Sequence, residues 1–600
     1  VQKKSRTMRL SQDRLRAIDE MKNAFLKNGV HLPRSKKAVL GQIEKRKTEL
    51  THEIEESYLP EIEATYYLPA RADVSGLSKA TLKAAHVRAV KQSKGRRKGW
   101  LFDYYDRDEI LAYAQNRDLR RDVWGLYSKE AQSKAVQEGR MPLLKKIHEM
   151  IGLQYEEARI KGYKSFAEQE FESLMLGSPQ EAKEFLKQLR EDVAQASFDE
   201  LARLSSFAAE RDNLAELESW DIEYYTNLLR AELIGFDDDD LMPFFDLDRV
   251  LDAALDDMGR MWGVRICENE TYAPVDPTVK TYDVYSLNGQ KHKGVLVIDP
   301  YNRKGKEDGV PYCLGLVSPH KGDRRNAALV NLYFDQPGKK NPCLIAPDQI
   351  SDIIFHELGH AMHHLMNESQ YHINTSLESA ADAAEIPSMF CEHWGRSKDF
   401  LRKVAFHHKT GEALPEAVLD RYTQSRTFMA GINLMDRIRW SVLDIEWHNN
   451  NPNKLPSLEE LEAKIRTRHT VTGWDGEAES LDFTHIFGGG YDAVFVGYLV
   501  AEARAAEMFD KFDKGGLFDR TLLSQLRGAI RAGRHLTVTE SFNQLAKGAL
   551  KSKSLLRIRG VAANAFNYAS QPSEEVLAFA NKHSAIRKRF GLDKSRVLKP

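Results

Sequence analysis

The pentapeptide His356-Glu357-Leu358-Gly359-His360 constrains this 600-residue chain more than any other stretch. In a helix it sets two imidazoles one turn apart on one face, with a carboxylate beside them. That is the donor arrangement an HExxH zinc peptidase uses. The surrounding residues predict such a helix. Asp348 is placed to cap it after Pro347. Ile350, Ile353, Ile354, Leu358, Ala361 and Leu365 then recur at spacings of three and four, in a proline-free run to Met366. Residues i and i+4 lie about 40° apart around the axis, so His356 and His360 point the same way. Gly359 weakens a helix unless another element must come close there. A buried helix whose two histidines bind backbone or carboxylate groups is the blander reading.

The third ligand decides the class. A metzincin site needs a glycine at position 363 and a histidine at 366; the chain has His363 and Met366. A glutamate on a second helix is the other common solution. Glu378 stands at a Glu-x-x-x-Asp spacing from Asp382, as in thermolysin-like enzymes. Glu385 lies where Asp382, Glu385, Ser388, Met389 and Glu392 share one face of a helix. Among Ile386, Phe390 and Trp394, that polar stripe is costly to bury without partners. A metal and the hydrogen bonds around it would supply them, and so would solvent. On spacing alone both glutamates stay open.

Three blocks in order resemble the thimet oligopeptidase family, which includes neurolysin, oligopeptidase A, peptidyl-dipeptidase and mitochondrial intermediate peptidase. The first is His356-Glu357-Leu358-Gly359-His360-Ala361-Met362-His363. The second carries Asp382, Glu385, Pro387, Ser388, Glu392 and Trp394. The third runs from His485 through Gly488-Gly489-Gly490-Tyr491 to Gly497-Tyr498. A weaker match spans Tyr272 to Tyr285, and the resemblance covers roughly residues 115–560. It implies one zinc ion held by His356, His360 and Glu385, with Glu357 as general base. It implies that Tyr498 and His485 stabilise the oxyanion or hold the substrate backbone, and that Tyr491 lines the same site. Asp382 and Glu392 would orient ligands or fix the two helices. The fold it implies is a mostly α-helical, two-lobed zincin with a deep central channel and one small β-sheet next to the HExxH helix.

The chemistry follows from the residue types. Zinc with three protein ligands keeps a position for water and lowers that water's pKa towards neutrality. Glu357 then takes the proton from the zinc-bound water and passes it to the leaving amine. The developing oxyanion needs a second donor, for which the Tyr498 phenol is suited. The glycines at 488–490 fit either a loop that swings Tyr491 and Tyr498 over substrate or a tight connection between helices. Several residues depart from the family pattern. Asn374 to Glu378 replace a Ser-Gly-Thr element, Phe495 and Val496 stand where tyrosines are common, and Lys547 to Lys551 replace a Gly-Arg-x-Pro element.

Elsewhere the helical period dominates, with residues 1–115 read as an N-terminal helical region and 116–600 as the catalytic domain. The β-rich zone is 281–335, with strands at Thr281–Tyr285, Val295–Asp299 and Ala327–Phe334. An extended peptide can pair with the edge of such a sheet. Asp237 to Asp240 read as a loop and helix cap, since EF-hand spacing is missing. The basic run 91–99 reads as a solvated loop, because no aromatics interleave with it. A net charge of −1 gives no field that favours nucleic acid or anionic membrane. No apolar run reaches the length of a membrane span. Scattered Cys267, Cys313, Cys343 and Cys391 suit a reducing compartment. The expectation is a cytoplasmic monomer acting on short peptides. Mitochondrial matrix is the alternative, given the basic residues near Val1. The rival functions are an inactive peptide-binding relative and an aminopeptidase with Glu378 as ligand. Internal cleavage and removal of C-terminal dipeptides are not distinguished.

Overall fold

Apolar residues at helical spacing, punctuated by capping side chains, build most of the chain. The longest helix among the described residues, Pro179–Asp212, shows the local logic. The Ser178 hydroxyl accepts the Glu181 N–H at 3.2 Å, Pro179 opens the first turn, and Asn213 ends the helix in the left-handed region. Our computed structural model describes residues 10–57, 65–96, 98–124, 143–306, 311–317, 326–338, 341–369, 371, 381–469, 486–487, 490–532, 536–546, 550–561 and 566–583.

A two-stranded antiparallel sheet, β1 (Thr65–Pro69) with β2 (Gly99–Asp103), interrupts the N-terminal helices. Leu68, Phe102, Ile110, Leu119 and Val123 form a small core there that runs across residue 115. The sequence pattern does not disclose this sheet. The basic run 91–99, read as a solvated loop, joins a helix that ends at Gln92 to β2, which begins at Gly99. Asp237 caps the short helix Asp238–Leu241, as read from the sequence.

The main sheet has five strands, four of them in the expected zone and one, Val264–Glu268, ahead of it. These are β3 (Val264–Glu268), β4 (Lys280–Ser286), β5 (His292–Tyr301), β6 (Tyr312–Val317) and β7 (Asn326–Phe334), in the order β3-β4-β5-β7-β6. β5 and β7 are parallel and the other pairs antiparallel, so β6 is an outer strand. Leu296, Ile298, Ala328, Val330 and Leu332 turn inward and pack with Leu358, Ala361, Met362 and Leu365 of helix α1 (His356–Met366). Each buried Leu, Ile, Val or Met side chain among them contributes roughly 1.5–3 kcal/mol relative to exposure. Two contacts lock α1 to the sheet. A side chain at Gly294 would meet Leu365 Cδ2 at 2.8 Å. Asn326, at the start of β7, donates to the terminal carbonyls of His364 (3.1 Å) and Asn367 (3.3 Å).

Among the described residues, no helix is long and apolar enough to cross a membrane.

Candidate metal centre

The helix that carries the pentapeptide starts one residue earlier than Asp348. Pro347 occupies its first turn, and the Gln349 side chain accepts the Ala346 N–H at 2.9 Å. The turn at Ile350–Phe355 is π-helical, and α1 follows directly. A second helix, α2 (Ile386–Gly395), packs along α1. Pro387 has no N–H to give the carbonyl four residues back. The helical run 381–384 therefore breaks at Glu385 before α2 begins.

Gly359 is where the two helices meet. A Cβ there would stand 2.7 Å from Ser388 Cα and 3.0 Å from the Pro387 carbonyl oxygen. This is the close approach that explains a glycine inside a helix. Gly395 repeats the device one end further on, against Phe355 and Ser351 of the π-helical turn.

That approach brings His356, His360 and Glu385 together. His356 Nε2 and His360 Nε2 lie 3.2 Å apart, and each is 3.3 Å from Glu385 Oε2. A tetrahedral zinc site with bonds of about 2.0–2.1 Å has ligand–ligand edges of about 3.3–3.4 Å. The three donor atoms are spaced like the corners of one face of such a tetrahedron. Without a cation or proton between them these atoms would repel. The donor set therefore fits a zinc ion.

The surrounding groups hold this geometry. His356 Nδ1 lies 2.9 Å from Glu392 Oε1, which commits that nitrogen as donor and leaves Nε2 to face the site. Arg396, one turn beyond Glu392 on the same helix, pairs with it and reaches Asp352 Oδ1 at 3.0 Å. Ser388 Oγ donates to Glu385 Oε2 at 3.1 Å. Burial alone would raise the Glu385 carboxyl, but hydrogen bonds from the two histidines outweigh it and hold the group well below the usual range. Glu392 is thus the acceptor that faces His356 Nδ1. Asp382 is turned elsewhere: its carboxylate accepts the Met175 N–H at 2.6 Å, and its Cβ abuts Gly497, so it ties neighbouring segments together.

Glu357 is buried beside the donors, and its Oε2 has no hydrogen-bond partner. Burial pushes its carboxyl upward, against the pull of His356 and His360. A buried carboxylate oxygen without a partner is costly, and this one belongs to the residue next to His356.

Tyr498 sits in the first turn of helix α4 (Val496–Gly515), and Tyr491 lies in the turn before it. Their rings are 4.9 Å apart, tilted by 31°. Burial pushes the Tyr491 phenol upward, and the charges of Glu385 and Glu357 add to this. Burial and the hydrogen bond with Tyr491 raise Tyr498 well above its ordinary value, so both phenols stay protonated donors. His485, Glu378 and the glycines at 488 and 489 lie outside the described residues. The sequence reading missed Arg396, whose signal was its i+4 spacing from Glu392.

A mostly helical fold that frames two histidines, a later glutamate and a buried second carboxylate defines a metallopeptidase of the HExxH-plus-glutamate class. Residues 110–560 match the family model described as Peptidase family M3, and the chain belongs to that family. It is a peptide-bond hydrolase of the metallo-oligopeptidase kind. Oligopeptidase A of Escherichia coli (strain K12) is 26% identical over 516 residues, covering 84% of this chain and 75% of that protein. Dipeptidyl carboxypeptidase of the same organism is 22% identical over 563 residues, covering 92% and 81%. Among solved structures, PZ peptidase A with an inhibitor superposes with a TM-score of 0.52 at 13% identity, covering 93% of this chain and 87% of that one. Oligoendopeptidase F from Enterococcus faecium gives 0.51 at 10% identity, covering 95% and 79%.

Proposed function

We propose that this chain is a zinc-dependent oligopeptidase that cleaves internal or near-C-terminal bonds of short, unstructured peptides. The observation that carries the reading is the triangle of His356, His360 and Glu385 donors, at 3.2–3.3 Å, beside an unpaired buried carboxylate oxygen of Glu357. His356, His360 and Glu385 would hold one zinc ion, with Glu392 fixing the first ring. When bound, the ion supplies Lewis acidity that makes a water acidic near neutral pH and polarises the peptide carbonyl. Glu357 Oε2 receives that water's proton and returns it to the leaving amine. The Tyr498 phenol, turning its one O–H away from Tyr491, donates with His485 to the oxygen that becomes negative, while the Tyr491 ring packs 4.9 Å from it.

Substrate backbone is held by strand pairing. β6 is an outer strand beside α1, and its Val317 carbonyl accepts from His364 Nε2 at 3.1 Å. It pairs with β7 on one side only, and its Tyr312, Leu314 and Leu316 side chains are about half exposed. An extended peptide along β6 would be gripped through its main chain, which tolerates many side chains. A central channel between two lobes, admitting short peptides and excluding folded proteins, accounts for the size limit. The name oligopeptidase A supports peptides as substrates, and the name dipeptidyl carboxypeptidase supports the near-C-terminal position. Four free cysteines fit a reducing compartment, and we assign the protein to the cytosol.

The test is a set of internally quenched peptides of graded length, with products identified by mass spectrometry. Wild type cleaves the short ones. Glu357→Gln keeps its zinc and loses turnover by about 10²–10⁴-fold. Turnover by Glu357→Gln at the wild-type rate would overturn the reading, as would a wild-type protein that binds peptides and cleaves none.

A further inference from the structure

Asp444 belongs to no block of the family resemblance, yet it is fully buried under the turn that carries the two tyrosines. It lies on helix α3 (Ala430–Asn449). Its Oδ1 accepts the Ala493 N–H at 2.7 Å and its Oδ2 accepts the Phe495 N–H at 3.0 Å. One carboxylate thus grips two amides of a segment 49 residues away, between Tyr491 and Tyr498. The gripped backbone is unusual. Ala493 has φ +69°, in the left-handed region that a residue with a Cβ rarely adopts, and it is fully buried. Such a conformation persists only where the surroundings over-determine it.

Behind the carboxylate stands His448, one turn further along α3. Its Nδ1 lies 3.0 Å from Asp444 Oδ1 and 2.8 Å from the Asp444 carbonyl oxygen. Both side chains are sealed from solvent, and the imidazole Nε2 has no hydrogen-bond partner. The His448 ring and Trp447 also pack on Phe487, with ring centroids 6.5 and 6.3 Å apart. α3 therefore holds the chain on both sides of the glycines at 488–490. Phe487 rests on its last turns, and Ala493 and Phe495 hang from Asp444.

We propose that Asp444, backed by His448, is a positioning residue that sets the Tyr491–Tyr498 pair through the left-handed turn at Ala493. The inference rests on the role given above to Tyr498. Two hydrogen bonds fix where the first turn of α4 starts, and Tyr498 lies only three residues beyond Phe495. A displacement of the turn by about 1 Å would carry the phenol out of hydrogen-bond reach of the reacting oxygen, a loss of about 100-fold in rate.

The experiment is a kinetic double-mutant cycle of Asp444→Asn and Tyr498→Phe, with zinc per chain measured in every sample. Asparagine fills the same space but sets an amide N–H against one of the two backbone donors. Asp444→Asn is expected to lower kcat at least ten-fold with KM and zinc content near wild type, and to add little in the Tyr498→Phe background. If Asp444→Asn does not accumulate folded, Asp444→Glu, which keeps the charge and pushes the turn outward, carries the same expectation. A wild-type kcat per zinc in the folded variant, or losses that multiply fully with Tyr498→Phe, would overturn the proposal. A wild-type kcat for Tyr498→Phe alone would instead overturn the role given to that tyrosine, which separates the two failures.

Discussion

Gly359→Ala probes the contact that assembles the metal centre. In an ordinary helix interior this change stabilises by about 1 kcal/mol, because glycine is a poor helix former. Here the new methyl would stand 2.7 Å from Ser388 Cα and 3.0 Å from the Pro387 carbonyl oxygen. Carbon atoms pack at about 3.5–4.0 Å, so α1 and α2 must part by roughly 1 Å. Both neighbours are backbone, and no side chain can swing aside. Overpacking of this kind costs about 1–3 kcal/mol, which outweighs the propensity gain. The same parting carries Glu385 away from two histidines that now lie 3.3 Å from it. Metal bonds of about 2.1 Å do not survive a stretch of that size. Differential scanning fluorimetry with and without chelator, together with zinc competition against a chromogenic chelator, reads both effects. The melting temperature should fall, zinc should bind at least ten-fold more weakly, and turnover should drop about 100-fold. A variant that melts higher and holds zinc within two-fold of wild type would refute the reasoning.

Glu392→Gln should weaken zinc binding about 10–100-fold, because glutamine holds the His356 Nδ1–H less firmly and leaves Arg396 short of a partner; equilibrium dialysis against zinc buffers checks this. Asp237→Asn should stabilise the protein only towards high pH. Burial and the nearby Asp240 push the Asp237 carboxyl up to about 7. A raised carboxyl favours folding below the unfolded pKa, and that contribution is lost as pH rises through about 7. Asparagine still caps the Asp240 N–H and does not ionise. The variant should therefore match wild type near pH 4 and gain on the order of 1 kcal/mol at pH 8 in urea titrations; equal stability at both pH values would contradict the assignment.

Much of the centre is legible in the sequence because its parts are local. The HExxH spacing, the apolar stripe behind it and the glycine between the histidines all lie within one helix. The Glu385–Ser388–Glu392 face is equally local, and its donors and acceptors are the ones the fold uses. The β-branched runs at 281–285, 295–299 and 327–334 become strands for the same reason. The remainder depends on partners distant in sequence. β6 reads Tyr312-Cys313-Leu314-Gly315-Leu316-Val317, without alternation, because its exposed positions carry Tyr312, Leu314 and Leu316 and not polar residues. β3 is short and polar on one face. Asp444 looks like any acidic residue in a helix, since its partners are backbone amides 49 residues on. Asp382 shares the ligand face by spacing, but the break at Glu385 turns it towards Met175.

Zinc per chain, measured by inductively coupled plasma mass spectrometry on purified wild type and single variants, tests the central claim most directly. The account predicts one zinc in wild type and in Glu378→Ala, and almost none in His356→Ala, His360→Ala or Glu385→Ala. Zinc retained in Glu385→Ala and lost in Glu378→Ala would contradict it.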